Sequence, residues 1–179
     1  MSVGTGIRTL AIHIDYRGFG YIVLEGGNRL VDWGTKQTTG AGRKKTLDVV
    51  ADLVVLYQPD YVLLEDLIHD THRRSARAVL LTRKIAIHMV ESGKDCRLVP
   101  TELIKSTFRR WGANTKQERA NLISRQLPVL EPRLPPPRKP WMSEDARMSI
   151  FSAATVALTF LDNYRFINAP QTNRDQDEA

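Results

Sequence analysis

The chain has 179 residues, 42% hydrophobic and 26% charged, a balance that excludes a disordered or fibrous polypeptide and allows one domain with a real core. A formal net charge of +6 favours a polyanionic partner, nucleic acid first, and a single cysteine, Cys96, excludes a disulfide within the chain and fits a reducing compartment. No apolar run approaches the ~20 residues that span a bilayer, and the first residues (MSVGTGIRT) lack the apolar segment of a secretory signal, so a cytoplasmic protein is expected.

In chain order, Arg8 to Asp15 reads as a buried strand that ends on a carboxylate. Gly18 and Gly20 mark a turn into a second strand, about Gly20 to Leu24. Gly26-Gly27-Asn28 makes a hairpin to a third, Leu30 to Thr35. After the polar loop TTGAG, Leu47, Val50, Val54 and Tyr57 recur at helical spacing, widened by Val49, Leu53 and Leu56, and predict a helix from about Arg43 to Tyr57. Tyr61 to Leu64 is a fourth strand, again ending in acid at Glu65 and Asp66. Ser75 to Ser92 is a long helix whose apolar residues occupy most of its circumference, so burial on more than one side is expected.

Arg97 to Val99 is a short strand, and Thr101 to Phe108 a short helix. Thr115, with Glu118 three residues later, forms a capping box for a helix through about Leu127. Residues 128–140 hold six of nine prolines and read as an extended loop. Ser143 is the expected cap of a last helix, about Glu144 to Tyr164. The domain is expected over residues 1–167, with a polar, disordered tail at 168–179.

Acids therefore fall at three element ends: Asp15, Glu65, and the pair Glu144 and Asp145. Asp15 has a bland reading, a side chain tied to its own turn, and the last pair has another, favourable placement at a helix N-terminus. If the three ends converge, the carboxylates repel one another and call for cations, and an oxygen-rich site suits Mg²⁺ or Mn²⁺. Two such ions ~4 Å apart can activate water and stabilise the leaving oxygen of a phosphodiester. Basic residues supply a nucleic-acid surface: Arg73, Arg74 and Arg77 at the start of the long helix, and Lys105, Arg109, Arg110, Lys116 and Arg119 around Trp111. Trp111 or Phe108 can stack on bases there, or Trp111 can belong to the core. His13, inside a strand, reads as a hydrogen-bonded core histidine.

The segments IHIDYRGFGYIVL and YQPDYVLLED, followed by a helix opening in Glu144 and Asp145, resemble the ribonuclease H-like fold and, more closely, the RuvC-type Holliday junction resolvases. VPTELIKSTFRRWGANTKQERANLISRQL is similar to a family segment carrying a lysine, a glycine-bearing break and a lysine–glutamine helix. The resemblance covers about residues 8–162. It implies an α/β fold: a mixed five-stranded sheet with its second strand antiparallel and helices on both faces. It implies Asp15 and Glu65 as catalytic acids and Asp145 as the first of two acids on the final helix. Met148 stands where the second is expected, and Glu144 is the nearest substitute. Lys105 and Lys116 match positions that approach the scissile phosphate. Asp15-Tyr16-Arg17-Gly18 departs from the family's Asp-Pro-Gly.

The implied activity is a metal-dependent endonuclease acting on branched or structured DNA. Two Mg²⁺ or Mn²⁺ ions would be held by Asp15, Glu65 and Asp145, with Glu144 accessory, and Lys116 would act on the phosphate. A homodimer through Ser75–Ser92 would match a junction's two equivalent strands. Two alternatives share the fold: a nucleic-acid-binding module that no longer cuts, and an RNA nuclease of the YqgF type, which the DY-containing first motif also resembles.

Overall fold

The computed structural model describes residues 6–38, 42–69 and 75–167. The expected tail at 168–179 and the basic pair Arg73 and Arg74 lie outside the described residues. Five strands form one sheet: β1 (Arg8–Ile14), β2 (Gly18–Glu25), β3 (Arg29–Gln37), β4 (Tyr61–Asp66) and β5 (Cys96–Pro100), in the order β3-β2-β1-β4-β5. β2 runs antiparallel to both β1 and β3, whereas β4 is parallel to β1 and to β5. The mixed sheet and its antiparallel second strand are as the sequence led one to expect.

Alternation along each strand divides the molecule into two cores. Leu10, Ile12 and Ile14 of β1 pack with Val62 and Leu64 of β4 under α1 (Gly42–Tyr57) and α2 (Ala76–Glu91). Ala11 and Leu63 point the other way, toward α3 (Thr101–Arg110), α4 (Lys116–Gln126) and α5 (Met148–Ile167). The same alternation sends His13, Asp15 and Glu65 to the α5 side. The parallel register, Ile12 opposite Leu64, sets His13 beside Glu65.

α5 lies across the sheet and is buried on nearly every side from Met148 to Leu158. Ala153, Ala154 and Ala157 keep it thin where it meets the strands, and Phe151 fills the space with 1% exposure. Burying such a side chain contributes ~1.5–3 kcal/mol. At its start the approach is closer still. A Cβ on Gly20 would stand 2.3 Å from the backbone carbon of Ser149, so only glycine lets the helix rest on β2. Gly18 is likewise inside the strand, against the Lys36 carbonyl. The two glycines read as turn residues are strand residues, and close approach explains them.

Two other expectations change. α5 begins at Met148, not at Glu144, because the Asp145 carboxylate accepts the Arg147 N–H at 2.9 Å and the Asp145 carbonyl accepts the Met148 N–H. That side chain, not Ser143, organises the helix start. Pro128–Arg133 forms a 3₁₀ turn, with Pro128 at its first position, before the chain becomes extended. Within this chain α2 buries one face, through Leu81, Ile85 and Met89, and exposes Ile87 and Val90; Val55 and Leu56 of α1 are exposed as well. The capping box at Thr115 and Glu118 is present as read.

Candidate active site

Asp15 leaves the end of β1 into a tight turn. Its Oδ1 accepts the backbone N–H groups of Arg17 at 2.7 Å and Gly18 at 2.8 Å. Arg77, from the first turn of α2, donates to the Asp15 carbonyl at 3.1 Å. The bland reading of Asp15 is therefore correct as far as it goes, and it fixes the carboxylate at the strand end, half-buried, with Oδ2 outside this turn.

Over that strand end close the N-terminus of α4 and the segment before α5. Asp15, Lys116, Glu144 and Asp145 line one small hollow, together with His13 and Ser149. Lys116 Nζ pairs with Glu144 Oε1 at 2.5 Å. Asp145 is gripped by the guanidinium of Arg147 at 3.0 and 2.7 Å, and these hydrogen bonds hold its carboxyl below the usual carboxylate range. Sequence reading missed Arg147, although an arginine two residues from a candidate acid is a visible signal.

An adjoining cavity of about 240 Å³ contains Glu65. Glu65 Oε1 accepts the hydroxyl of Thr101 at 2.9 Å, and Oε2 lies 3.4 Å from His13 Nδ1 without hydrogen-bond geometry. His13 is thus no hydrogen-bonded core histidine at this atom: Nδ1 is buried, has no hydrogen-bond partner, and lines both hollows. Lys105, Lys116 and Arg119 ring the same cavity. Burial pushes the Arg119 guanidinium down, against the charge of Glu65, which favours its protonated form. Met148, 7% exposed, also faces this cavity, where the resemblance implies an acid.

A larger groove of about 680 Å³ runs outward between Pro135–Pro137 and Lys116, past Arg17, Glu144 and Asp145. Among the described residues Lys116 is the one charged residue that all three hollows share. Lys105 also pairs with Glu102 at 2.7 Å.

Other sequence candidates sit elsewhere. Arg109 and Arg110 close the far end of α3, about 15 Å along the axis from Thr101, and Arg110 pairs with Asp162 of α5. Phe108 is fully buried and Trp111 packs edge-on against it at 5.0 Å, so packing wins over stacking there.

The donor chemistry fits a hard divalent cation: half-buried carboxylate oxygens at neighbouring strand ends, with His13 Nδ1, which makes no hydrogen bond, 3.4 Å from one of them. The acids are not gathered, however. Among the described residues no three His, Cys, Asp or Glu side chains are grouped to hold a metal ion, and cations of this chain answer Glu144 and Asp145.

No protein-family model and no curated protein matches the chain. Solved structures do. RuvC of Thermus thermophilus superposes with a TM-score of 0.64 at 17% identity, over 89% of this chain and 96% of that one. The yeast mitochondrial Holliday junction resolvase gives 0.56 at 14% identity, over 91% and 83%. The fowlpox virus resolvase, in complex with substrate Holliday junction DNA, gives 0.51 at 13% identity, over 87% and 99%. With the strand order β3-β2-β1-β4-β5 and α5 laid across it, these likenesses show that the chain has the ribonuclease H-like fold of the RuvC-type Holliday junction resolvases.

Proposed function

We propose that the protein is a divalent-metal-dependent endonuclease that hydrolyses phosphodiester bonds in branched DNA. One observation carries this reading: strand alternation turns Asp15 and Glu65 to the same side of the sheet, where Lys116 lines the hollows of both and Glu144 and Asp145 close over Asp15. Asp15, Glu65 and Asp145 would hold Mg²⁺ or Mn²⁺, with Glu144 accessory; bound metal would supply an activated water and charge stabilisation for the leaving oxygen. Lys116 and Lys105 bind the phosphate. Thr101 fixes the Glu65 carboxylate, and the turn of Asp15 fixes the first acid. Release of Lys116 from Glu144 and of Arg147 from Asp145 frees both acids as substrate phosphate takes up the cations.

The test is nicking of a labelled four-way junction, with duplex and single-strand controls, in Mg²⁺, in Mn²⁺ and in chelator. Paired nicks that need metal and disappear in Asp15→Asn are expected. Unchanged cutting by Asp15→Asn in a nuclease-free preparation would sink the reading. Matched RNA substrates separate it from an RNA nuclease of YqgF type.

Met148 favours a second reading, a module that binds junctions without cutting them. Met148→Asp discriminates. In a working metal site the new acid raises nicking and is stabilised by Mg²⁺. In a binding module it only destabilises, by about 1–3 kcal/mol for a buried unsatisfied group.

Two copies would pair through α2, whose Ile87 and Val90 are exposed. Sedimentation at micromolar concentration should give a dimer, and Ile87→Lys a monomer. A cytoplasmic location fits the single cysteine; among the described residues no helix is long and apolar enough to cross a membrane.

A further inference from the structure

Two aromatic side chains on loops that border the cleft stand in solvent. Trp141 is 78% exposed and Tyr16 59% exposed. The other tryptophans, Trp33 and Trp111, pack against a core, so exposure of Trp141 is not a shortage of places to bury it. Each exposed ring is backed by a cation of its own loop. Lys139 Nζ lies 5.5 Å from the centre of the Trp141 ring, and the Arg17 guanidinium carbon 4.9 Å from that of Tyr16. A flat aromatic face beside a positive charge is the combination that takes up a nucleotide, the ring against the base and the cation against its phosphate.

Placement adds to chemistry. Tyr16 follows Asp15 directly and lines the hollow that holds Asp15 and Lys116. Trp141 precedes Met142, which lines the larger groove with Arg17, Lys116 and Arg138. The loop carrying Trp141 is stiff. Pro135, Pro136, Pro137 and Pro140 restrict its backbone, and the Met142 N–H donates to the Lys139 carbonyl at 3.0 Å, closing a turn around the tryptophan. A ring held out on such a loop loses little freedom when something stacks on it.

We propose that Trp141, with Tyr16, is a stacking platform for nucleobases that have lost a stacking neighbour, such as those at a branch point. Inside a continuous duplex both faces of every base are covered, so an intact duplex meets only the basic residues of the cleft. The platform therefore selects branched or frayed nucleic acid over plain duplex. This rests on the nucleic-acid reading of the cleft, but not on cutting.

The experiment uses the full chain in chelator, so that binding is measured without cleavage. The probe is a four-way junction with 2-aminopurine at the branch, beside a duplex carrying the same base internally. Trp141→Ala is expected to weaken junction binding roughly ten-fold, in line with the loss of one stacked base. It should also abolish the fluorescence change at the branch and leave duplex binding unaltered. Trp141→Phe should keep most of both signals. Thermal melting confirms that the variants fold. If Trp141→Ala changes neither junction affinity nor fluorescence, or weakens junction and duplex equally, the inference fails, and junction nicking by the parent protein would leave the endonuclease reading standing. If the platform behaves as described but no substrate is nicked, the inference stands and the endonuclease reading fails. If no nucleic acid binds, both fail.

Discussion

In the proposed endonuclease Asp15 serves two purposes with one carboxylate. Oδ1 ties the turn after β1 through two backbone N–H groups. Asparagine keeps that oxygen and loses the charge. Asp15→Asn should therefore leave the melting temperature within about 2–4 °C of the parent, less than a 1 kcal/mol change, while nicking disappears. Asp15→Ala should lower both, and comparing the two melts with the two activities checks the division. Lys116 is tested in the same way. Its pair with Glu144 is close to half exposed on both sides, so it contributes at most ~1 kcal/mol to stability. Lys116→Gln should fold normally. It should cut roughly 10–100-fold more slowly, the loss of one charge-assisted hydrogen bond to phosphate, as single-turnover rates would show.

Residue identities were the most legible part of the site, and their surroundings the least. Asp15 and Glu65 are visible because each ends an apolar run. That His13 faces Glu65 was not legible, because nothing local says that a residue fifty-two positions on lies beside it. Trp111 drew attention through its charged neighbours, yet Phe108 one turn earlier makes it a packing residue. Trp141, hidden among prolines, is the exposed one.

Among the elements, those whose signals are local came out as read. α4 starts where the capping box places it, and Thr115→Ala should cost about 1 kcal/mol, measurable by urea denaturation. α5 did not start at its apparent cap, because the competition there is between Ser143 and an Asp145 side chain that reaches the Arg147 N–H. Gly18 and Gly20 looked like a turn because sequence shows what glycine permits and not what presses on it. Gly20→Ala pushes a methyl group into the Ser149 backbone, which no rotamer relieves. The expected loss is at least the ~1–3 kcal/mol of an overpacked core. Because α5 carries Met148 and Ser149 into the cleft, nicking should fall even below the melting transition, which calorimetry run beside the cleavage assay would show.

At the level of the whole molecule, the pattern of apolar runs pointed to an α/β sheet and the family resemblance to its mixed, five-stranded form, whereas the outer surface was not legible. The apolar residues around α2 suggested burial on more than one side, and within this chain one face is used, which leaves Ile87 and Val90 exposed. A polar tie adds to the apolar packing of α1 on the sheet: the hydroxyls of Tyr21, on β2, and Tyr57, at the end of α1, both donate to Asp32 of β3. Burial, with this bond, raises the Tyr21 phenol, and the Asp32 bond first of all pushes Tyr57 up to about 12. The unfolded chain releases these protons near pH 10, whereas the folded one retains them. Their contribution is thus complete below pH 10 and drains away as pH rises toward 12. Circular dichroism melts across that range should show falling stability, flattened in Tyr57→Phe.

The two cores share no residue, with the sheet standing as a wall between them. Substitutions under α1 and α2 and substitutions under α5 should therefore combine additively. A lineage could redraw one outer surface for new company while the cleft on the opposite side keeps its trade. Divergence among descendants of this chain should be patchy, freest on the outer surface of α1 and sparse around Gly20.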